Sequence, residues 1–462
     1  MQIGEEAREP FKLLRQYRCC ADLCCPFEGT VYVEKIQHRK EVHGCKYIGT
    51  LCNGQQARKA EKHKRGLEQS LCLRLETQFE PAYWDESNYE SALAKHSYAK
   101  GRPLSPEDRR SAIFSLVKEY DYMVGSKPIG IHQTLKEAKS HPGLPARFLY
   151  KTEDEMVENE GMAMYYHTEE VMSREKPLDY LWYGFLKSEL VKKAKNENHD
   201  SRMINCPPAL INRMGCRFES QQNSRMKALT ETRQAQVGWS PVKGGLDMAL
   251  ARFKNCAKFL EGDWTRYDGT LPNEMMELVS LYRASTLSLT TKERACYTNY
   301  RKSLLSRNTV IPTGDVINIP KGNPSGQYST SADNCMVQTM LVHLETKHWL
   351  ASQGVLLDDE EVTETFINIS YGDDRITGYP FGPHEHLLPP TPEWLSSYYK
   401  EHHGMWMKPE NVIFSHTLEG LTFCGIQIKK QYGVFVPAYK PEKLYAALSD
   451  PANPSEDYDI LG

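Results

Sequence analysis

Apolar residues at Met336, Val337, Met340, Leu341 and Leu344 recur at helical spacing, and they predict a long helix over residues 330–350 packed along one face. A different period follows. Ile367, Ile369 and Tyr371 alternate with Asn368 and Ser370, which predicts a strand; residues 375–379 can pair back on it as a hairpin with Asp373 and Asp374 at the tip. Upstream, residues 257–263 read as a short buried strand that delivers Asp263 at its C-terminal end. A helix follows, started at Pro272 and carried by residues 274–283. Residues 322–326 read as a loop opening the long helix. Helix-compatible runs also fill residues 105–125 and 153–171, the first with Ser105 as N-cap, Pro106 in the first helical position and acids in the first turn. Residues 54–65, charged and poor in turn signals, read as a helix surface or as a flexible link. No internal repeat and no low-complexity domain interrupts the chain.

Length and composition fit a multi-lobed globular protein rather than a fibre or a disordered chain: 462 residues, 40% hydrophobic and 25% charged. The net charge of -3 hides local asymmetry. Residues 187–233 hold ten Lys/Arg against five Asp/Glu, and residues 1–66 hold thirteen against eight, while Asp358-Asp359-Glu360-Glu361 restores the balance. A basic stretch beside acidic residues suits a polyanionic ligand, although a solvated face gives the same pattern. No apolar run reaches the roughly 18 residues of a membrane span, and the N-terminus lacks a signal-peptide core, so the chain reads as cytosolic. Thirteen cysteines lack the even spacing of a small secreted scaffold. Cys19, Cys20, Cys24, Cys25, Cys45, Cys52 and Cys72 fall early, with His38 and His43 between them. Paired Cys-Cys steps are not the usual zinc knuckle, so reduced, partly buried thiols are the favoured reading over a zinc site.

An Asp-Asp pair at a hairpin tip is by itself an ordinary turn, because Asp tolerates turn geometry. Order along the chain changes that reading. A strand ending in Asp263, a Gly/Ser loop opening a helix, and a hairpin with Asp373 and Asp374 at its tip can bring carboxylates together from separate segments. Mg²⁺ is held in this way, by one or two carboxylates plus substrate phosphates. The implied chemistry is two-metal nucleotidyl transfer, with Asp263 and Asp373 on the metals and Asp374 assisting.

The sequences Asp263-Trp264-Thr265-Arg266-Tyr267-Asp268-Gly269, Gly322 to Asn334 (GNPSGQYSTSADN) and Tyr371-Gly372-Asp373-Asp374 resemble, in this order, the first three palm motifs of viral RNA-dependent RNA polymerases. Their wording, with GMWMKPE from Gly404 and LTFCGIQI from Leu421, is similar to the astrovirus polymerases within the picornavirus-like group. The resemblance implies an α+β, right-handed polymerase fold with fingers, an antiparallel-sheet palm and a partial thumb. The domains expected are an N-terminal extension over 1–66, fingers and the N-terminal part of the palm over 67–256, palm with an inserted fingers segment over 257–428, and the start of a thumb over 429–462. It also implies template-directed RNA synthesis with Mg²⁺, or Mn²⁺ in its place.

Residue roles follow from the same resemblance. Asp268, Ser325, Thr330 and Asn334 would select the ribose, with Asn334 meeting Asp268 around a 2′-hydroxyl, the group that separates RNA from DNA substrates. Capping and turn formation are the ordinary alternative for Ser325 and Thr330. Lys187, Lys195 and Arg202 would line the approach path of the triphosphate, as cations suited to phosphate. Ser188 stands where related enzymes commonly have Asp. Lys408 would act as the general acid for the leaving pyrophosphate. Gly322 and Gly326 would let backbone approach template or nucleotide, and Gly143, in Ser140-His141-Pro142-Gly143-Leu144-Pro145, would sit where the template is admitted. Phe423 and Cys424 would support the primer strand, Cys424 as a packed thiol rather than a nucleophile.

The partners implied are RNA template and product, NTPs, a protein primer and other viral replicase proteins, and the place is host cytoplasm at membrane-associated replication complexes. Residues 429–462 are short for a complete thumb, so weak, salt-sensitive RNA retention is expected. Two other readings stay open. A reverse transcriptase shares the paired aspartates, but Asp268 with Asn334 argues against it; a non-catalytic RNA-binding replicase subunit shares the fold, but the intact acids argue against that.

Overall fold

The computed structural model describes residues 77–449 except 86, 97–99, 135–139, 145, 149, 175–180, 313–314, 381–385 and 387, together with strand residues 33–34, 41–42 and 45–51. The early cysteines other than Cys45, and residues 54–65, lie outside the described residues.

Four antiparallel strands make the palm sheet: β1 (Cys256–Gly262), β2 (Ile367–Tyr371), β3 (Asp374–Pro380) and β4 (Val412–Ser415), in the spatial order β2-β3-β1-β4. The predicted hairpin is β2 and β3. Tyr371 lies opposite Asp374, so only Gly372 and Asp373 form the loop. A two-residue loop that matches strand twist needs a positive φ, and Gly372 supplies it at 64°. Phe259, Ile369 and Ile376 pack with Leu246, Leu250, Phe253, Leu421, Phe423 and Ile428. Leu260 and Val412 pack instead against α1 (Pro106–Glu119), α2 (Asn273–Thr286), α3 (Thr330–Ser352) and α4 (Pro392–His403).

Helix α1 begins as its sequence predicts, with Ser105 Oγ accepting from the Asp108 N–H at 3.0 Å. The run over 153–171 is instead two helices, Glu153–Glu160 and Ala163–Ser173, because Gly161 at φ 73° ends the first. Helix α3 also departs from its one-sided pattern. Its polar residues Asp333, Asn334, Gln338, Thr339, His343, Glu345 and Thr346 are buried along with its apolar ones. They are tolerated because they are bonded: Thr339 to Tyr120 at 3.0 Å, His343 to Asp359 at 3.1 Å, and Glu345 to Arg375 at 2.8 and 2.9 Å.

A second sheet forms the fingers, in the order 33–34, 45–51, 315–319, 307–310, 181–186, 203–206. Strand Cys45–Leu51, in the region read as an N-terminal extension, pairs with Asp315–Ile319 through contacts such as Tyr47 opposite Ile317. Beyond the palm, Thr422–Phe423, Ile426–Gln431 and Val434–Ala438 form a small sheet, followed by the helix Pro441–Ser449.

His403, at the end of α4, is buried among Tyr398, Tyr399 and His402. Burial, then the neighbouring His402 and His348, depress its pKa to about 3. A depressed folded-state pKa means stability that is present above the unfolded value and lost as pH falls toward the folded one. His403 alone should therefore cost about 2 kcal/mol at pH 5 relative to pH 7. Asp374, whose carboxyl burial pushes up to about 7, titrates in the opposite sense, so the effect is read as a difference. Urea unfolding of His403→Asn should show a stability change between pH 7 and pH 5 that is less unfavourable by about that amount; identical pH slopes in the two proteins would contradict it.

Candidate active site in the palm

Asp263 is the first residue beyond β1, and Asp373 occupies the β2–β3 loop. Because Gly262 faces Arg375 across the sheet, Asp263 and Asp374 lie one step beyond a register pair. Their carboxyl groups, and that of Asp268, belong to one electrostatic cluster. Burial and then Asp373 push Asp268 up to about 6. Asp374 is pushed up to about 7 by burial, then by Asp373, Asp263 and Glu261. Asp263 is raised by the surrounding protein and then by Asp373, while Asp373 is raised by desolvation although its side chain still meets solvent.

Carboxylates gathered so that Asp373 raises its three neighbours fit a divalent cation, whose charge would relieve their repulsion. Asp263, Asp373 and Asp374 are the residues that would hold it. Among the described residues no three His, Cys, Asp or Glu side chains converge into a protein-only cage. Mg²⁺ does not need one, since substrate phosphates and water complete its octahedron.

Beside the acids stands the expected ribose pair. Asn334 Nδ2 donates to Asp268 Oδ1 at 2.6 Å. Asn334 is the fifth residue of α3, and Asp268 comes from the short helix Tyr267–Thr270 after β1. Between Asp263 and Asp268 the chain turns through Arg266 in the left-handed region at φ 63°, a conformation unusual for a side chain of this size. No sequence signal marks it.

Thr330 Oγ1 donates to the carbonyls of Pro324 and Gln327 at 2.8 and 2.9 Å, and Ser325 Oγ accepts from the Asn205 N–H at 3.3 Å while remaining exposed. Both hydroxyls hold the loop. Gly322, at φ 84°, has a packing reason of its own: a Cβ there would lie 2.4 Å from the carbonyl oxygen of Asp268. Gly326 is crowded at 2.4 Å by the carbonyl of Asn205, and Gly143 at 2.5 Å by that of Pro207. Gly322 and Gly326 thus pack the loop against the first palm motif and the strand 203–206, and Gly143 packs its own segment against Pro207 just ahead of the helix Ala209–Ala228.

The predicted cations come from the fingers. Arg202 is gripped through two nitrogens by Glu189, and its pKa is raised by that bond and further by Asp373 and Asp268. Lys187 lies 3.8 Å from Glu189, and Lys195 lies 3.8 Å from Asp200 while its charge lowers the pKa of Asp263. Glu189, to which sequence reasoning gave no role, is therefore the holder of two of the three cations; its place between Lys187 and Arg202 was the available signal.

Lys408 is half exposed, 4.0 Å from Glu410 and 5.5 Å over the Trp406 ring. Its loop is tied to the acids: the Thr265 N–H donates to the Trp406 carbonyl at 2.9 Å, and the Asp263 N–H to that of Asn411 at 3.2 Å. Phe423 is buried against Trp239, ring centres 5.3 Å apart, and the Thr422 N–H donates to Glu261. Cys424 and Gly425 both take positive φ, 52° and 73°, in a two-residue turn. Burial first, and then the neighbouring Asp374, Cys335 and Asp373, push the Cys424 thiol up, so it stays protonated.

Residues 75–461 match the family model described as viral RNA-dependent RNA polymerase. The chain is 36% identical over 394 residues to the non-structural polyprotein 1AB of ovine astrovirus 1, covering 83% of this chain and 29% of that protein. The same polyprotein of turkey astrovirus 2 is 37% identical over 355 residues, covering 75% and 21%, so this chain spans less than a third of either relative. Among solved structures, a Sicinivirus 3Dpol RNA-dependent RNA polymerase superposes with a TM-score of 0.68 at 15% identity, covering 87% of each chain, which establishes the right-handed polymerase fold. With the motifs in order on the palm and the family model matched from residue 75 to residue 461, the chain belongs to the viral RNA-dependent RNA polymerase family.

Proposed function

We propose that this chain copies viral positive-strand RNA by nucleotidyl transfer from NTPs. The observation that carries the reading is the 2.6 Å bond between Asn334 and Asp268 beside the Asp263, Asp373 and Asp374 carboxylates. The oxygen of a primer 3′-hydroxyl forms a bond to the α-phosphorus of the incoming NTP as its proton passes to water, and the bond to pyrophosphate breaks with its electron pair leaving on the pyrophosphate. Mg²⁺, or Mn²⁺ in its place, supplies charge stabilisation of the attacking and leaving oxygens when bound. Asp263 and Asp373 hold that charge with Asp374 assisting. Asp268 and Asn334 meet the ribose 2′-hydroxyl, Lys195 and Arg202 counter the triphosphate, and Lys408 gives a proton to the leaving pyrophosphate.

The relatives are named as polyproteins, which supports release of this chain from a longer precursor and work beside other viral proteins; a protein primer is part of the proposal on the strength of the motif resemblance alone. We place this chain in the host cytoplasm at membrane-associated replication complexes; among the described residues no helix is long and apolar enough to cross a membrane.

The test is primer extension on an RNA template with Mg²⁺ and with Mn²⁺, comparing rNTPs with dNTPs. Metal-dependent extension from rNTPs is expected; equal or better use of dNTPs would point to a reverse transcriptase. Absence of metal-dependent pyrophosphate release would leave only an RNA-binding subunit. A second expected result concerns the fingers: Glu189→Gln should weaken the hold on Lys187 and Arg202 and raise the KM for NTP about threefold to tenfold more than it lowers kcat. An effect confined to kcat would argue against placing these cations on the triphosphate.

A further inference from the structure

Asn334 can serve the ribose only if its amide faces the right way round, and nothing in Asn334 itself determines that. Its two amide atoms are nearly the same size, and the wrong orientation would set an oxygen against the Asp268 carboxylate. Beside that carboxylate the structure shows a second determinant, on the oxygen side of the amide. Asn334 Oδ1 accepts from Asn323 Nδ2 at 2.8 Å. Asn323 Nδ2 also donates to the Thr330 carbonyl at 3.1 Å, and Asn323 Oδ1 accepts from Gln327 Nε2 at 3.1 Å. Gln327 Nε2 donates in turn to Asp333 Oδ2 at 3.0 Å, and Gln327 Oε1 accepts from the Ser329 N–H at 2.7 Å.

Two contacts in this chain have no freedom. A backbone N–H can only donate and a backbone carbonyl can only accept. The Ser329 N–H therefore orients Gln327, the Thr330 carbonyl orients Asn323, and both assignments agree. Asn323 then fills the acceptor of Asn334 and leaves its Nδ2 for Asp268, with the second Nδ2 hydrogen free of any bond to Asn323.

The far end of the chain is firmly held. Asp333 is fully buried between Arg283 at 2.7 Å and Arg301 at 2.8 Å, and Arg301 is bonded to Glu219 at 2.9 Å. Asn323, Gln327 and Asn334 are themselves only 3%, 5% and 4% exposed, so water does not offer an easy substitute partner. The Asn323 N–H also donates to the Asp268 carbonyl at 2.8 Å, which ties the relay to the segment it serves.

We propose that Asn323 is a positioning residue for sugar selection: it acts through Asn334, transmitting the fixed polarity of the Gln327–Asp333 anchor so that a donor faces Asp268 and the 2′-hydroxyl. This rests on the polymerase reading above and adds to it a residue that need not touch the nucleotide. The prediction is specific to the sugar. Asn323→Asp keeps the shape but replaces the donor by a carboxylate oxygen, which repels Asn334 Oδ1 and favours the flipped amide.

The experiment is single-nucleotide extension by the wild-type chain, Asn323→Asp, Asn323→Ala, Asn334→Ala and the double variant Asn323→Asp/Asn334→Ala. For each, kcat/KM is measured with an rNTP and with the matching 2′-deoxynucleotide. Both Asn323 variants should lose about tenfold of the rNTP-over-dNTP preference, the scale of one misaligned hydrogen bond. The double variant should show the same preference as Asn334→Ala alone, because the Asn323 side chain acts on the sugar through Asn334. A merely structural role would lower both substrates together and leave the ratio unmoved. An unchanged ratio in either Asn323 variant, or additive losses in the double variant, overturns the relay while leaving the polymerase reading intact. Absence of rNTP incorporation by the wild-type chain overturns the reading on which it rests.

Discussion

Asp373→Asn is expected to lower RNA extension by about a thousandfold or more, several kcal/mol of lost charge stabilisation at the reacting phosphate, and at the same time to raise the melting temperature of the metal-free protein. The two effects have one cause. Asp373 contributes to the raised pKa of Asp263, Asp268 and Asp374, so without a cation its charge works against the fold. Folded-state values above the unfolded ones mean stability that is full below the unfolded pKa and lost as pH rises through the folded one. For Asp374 that window runs from its ordinary value of 3.8 up to about 7. The gain in melting temperature on removing Asp373 should therefore be clear at pH 8 in EDTA and should fade toward pH 4, where Asp374 is protonated in both proteins. Single-turnover extension and thermal melts at the two pH values check the pair of outcomes. Retained extension, or a variant less stable than the wild type at pH 8, would show that Asp373 is not the charge at the centre of this site.

Those acids were legible in the sequence because each lies at the end of a locally coded element. The alternation of Ile367, Ile369 and Tyr371 defines β2, and Gly372 permits the tight loop, so the position of Asp373 follows from short-range chemistry. Asp263 follows likewise from the strand before it, and the meeting of Asp268 with Asn334 followed from the resemblance. The supports were less visible. Asp333 bonds to Arg283, fifty residues upstream, and Arg301 to Glu219, eighty-two upstream, and no spacing rule connects charges across such distances. The buried polar stripe of α3 was hidden for the same reason. Its residues look like a solvated face until the partners on α2 and β3 are in place. Gly322 and Gly326 were readable as backbone requirements, but what approaches them, the carbonyls of Asp268 and Asn205, is tertiary information.

The bond that fixes the β2–β3 hairpin to its supporting helix should be the most sensitive point for stability. Arg375 directly follows Asp374 in β3, and both it and Glu345 of α3 are fully buried, paired through two hydrogen bonds at 2.8 and 2.9 Å. The Tyr399 hydroxyl, from α4, donates to the same carboxylate. Glu345→Ala leaves a guanidinium in the core without its counter-charge, which should cost about 3–5 kcal/mol, a large part of the margin of an ordinary domain. Removing both charges is a different matter. Glu345→Leu with Arg375→Met replaces the pair by apolar groups of similar reach, and most of the loss should return in urea unfolding, because the desolvation of both ions is no longer required. Extension activity should not return with it. The pair orients β3 at the residue beside Asp374, and apolar packing has no preferred direction with which to hold a carboxylate in place. A Glu345→Ala protein within about 1 kcal/mol of the wild type would refute the stability argument, and a double variant with full activity would show that the hairpin is positioned by its backbone pairing with β1 alone.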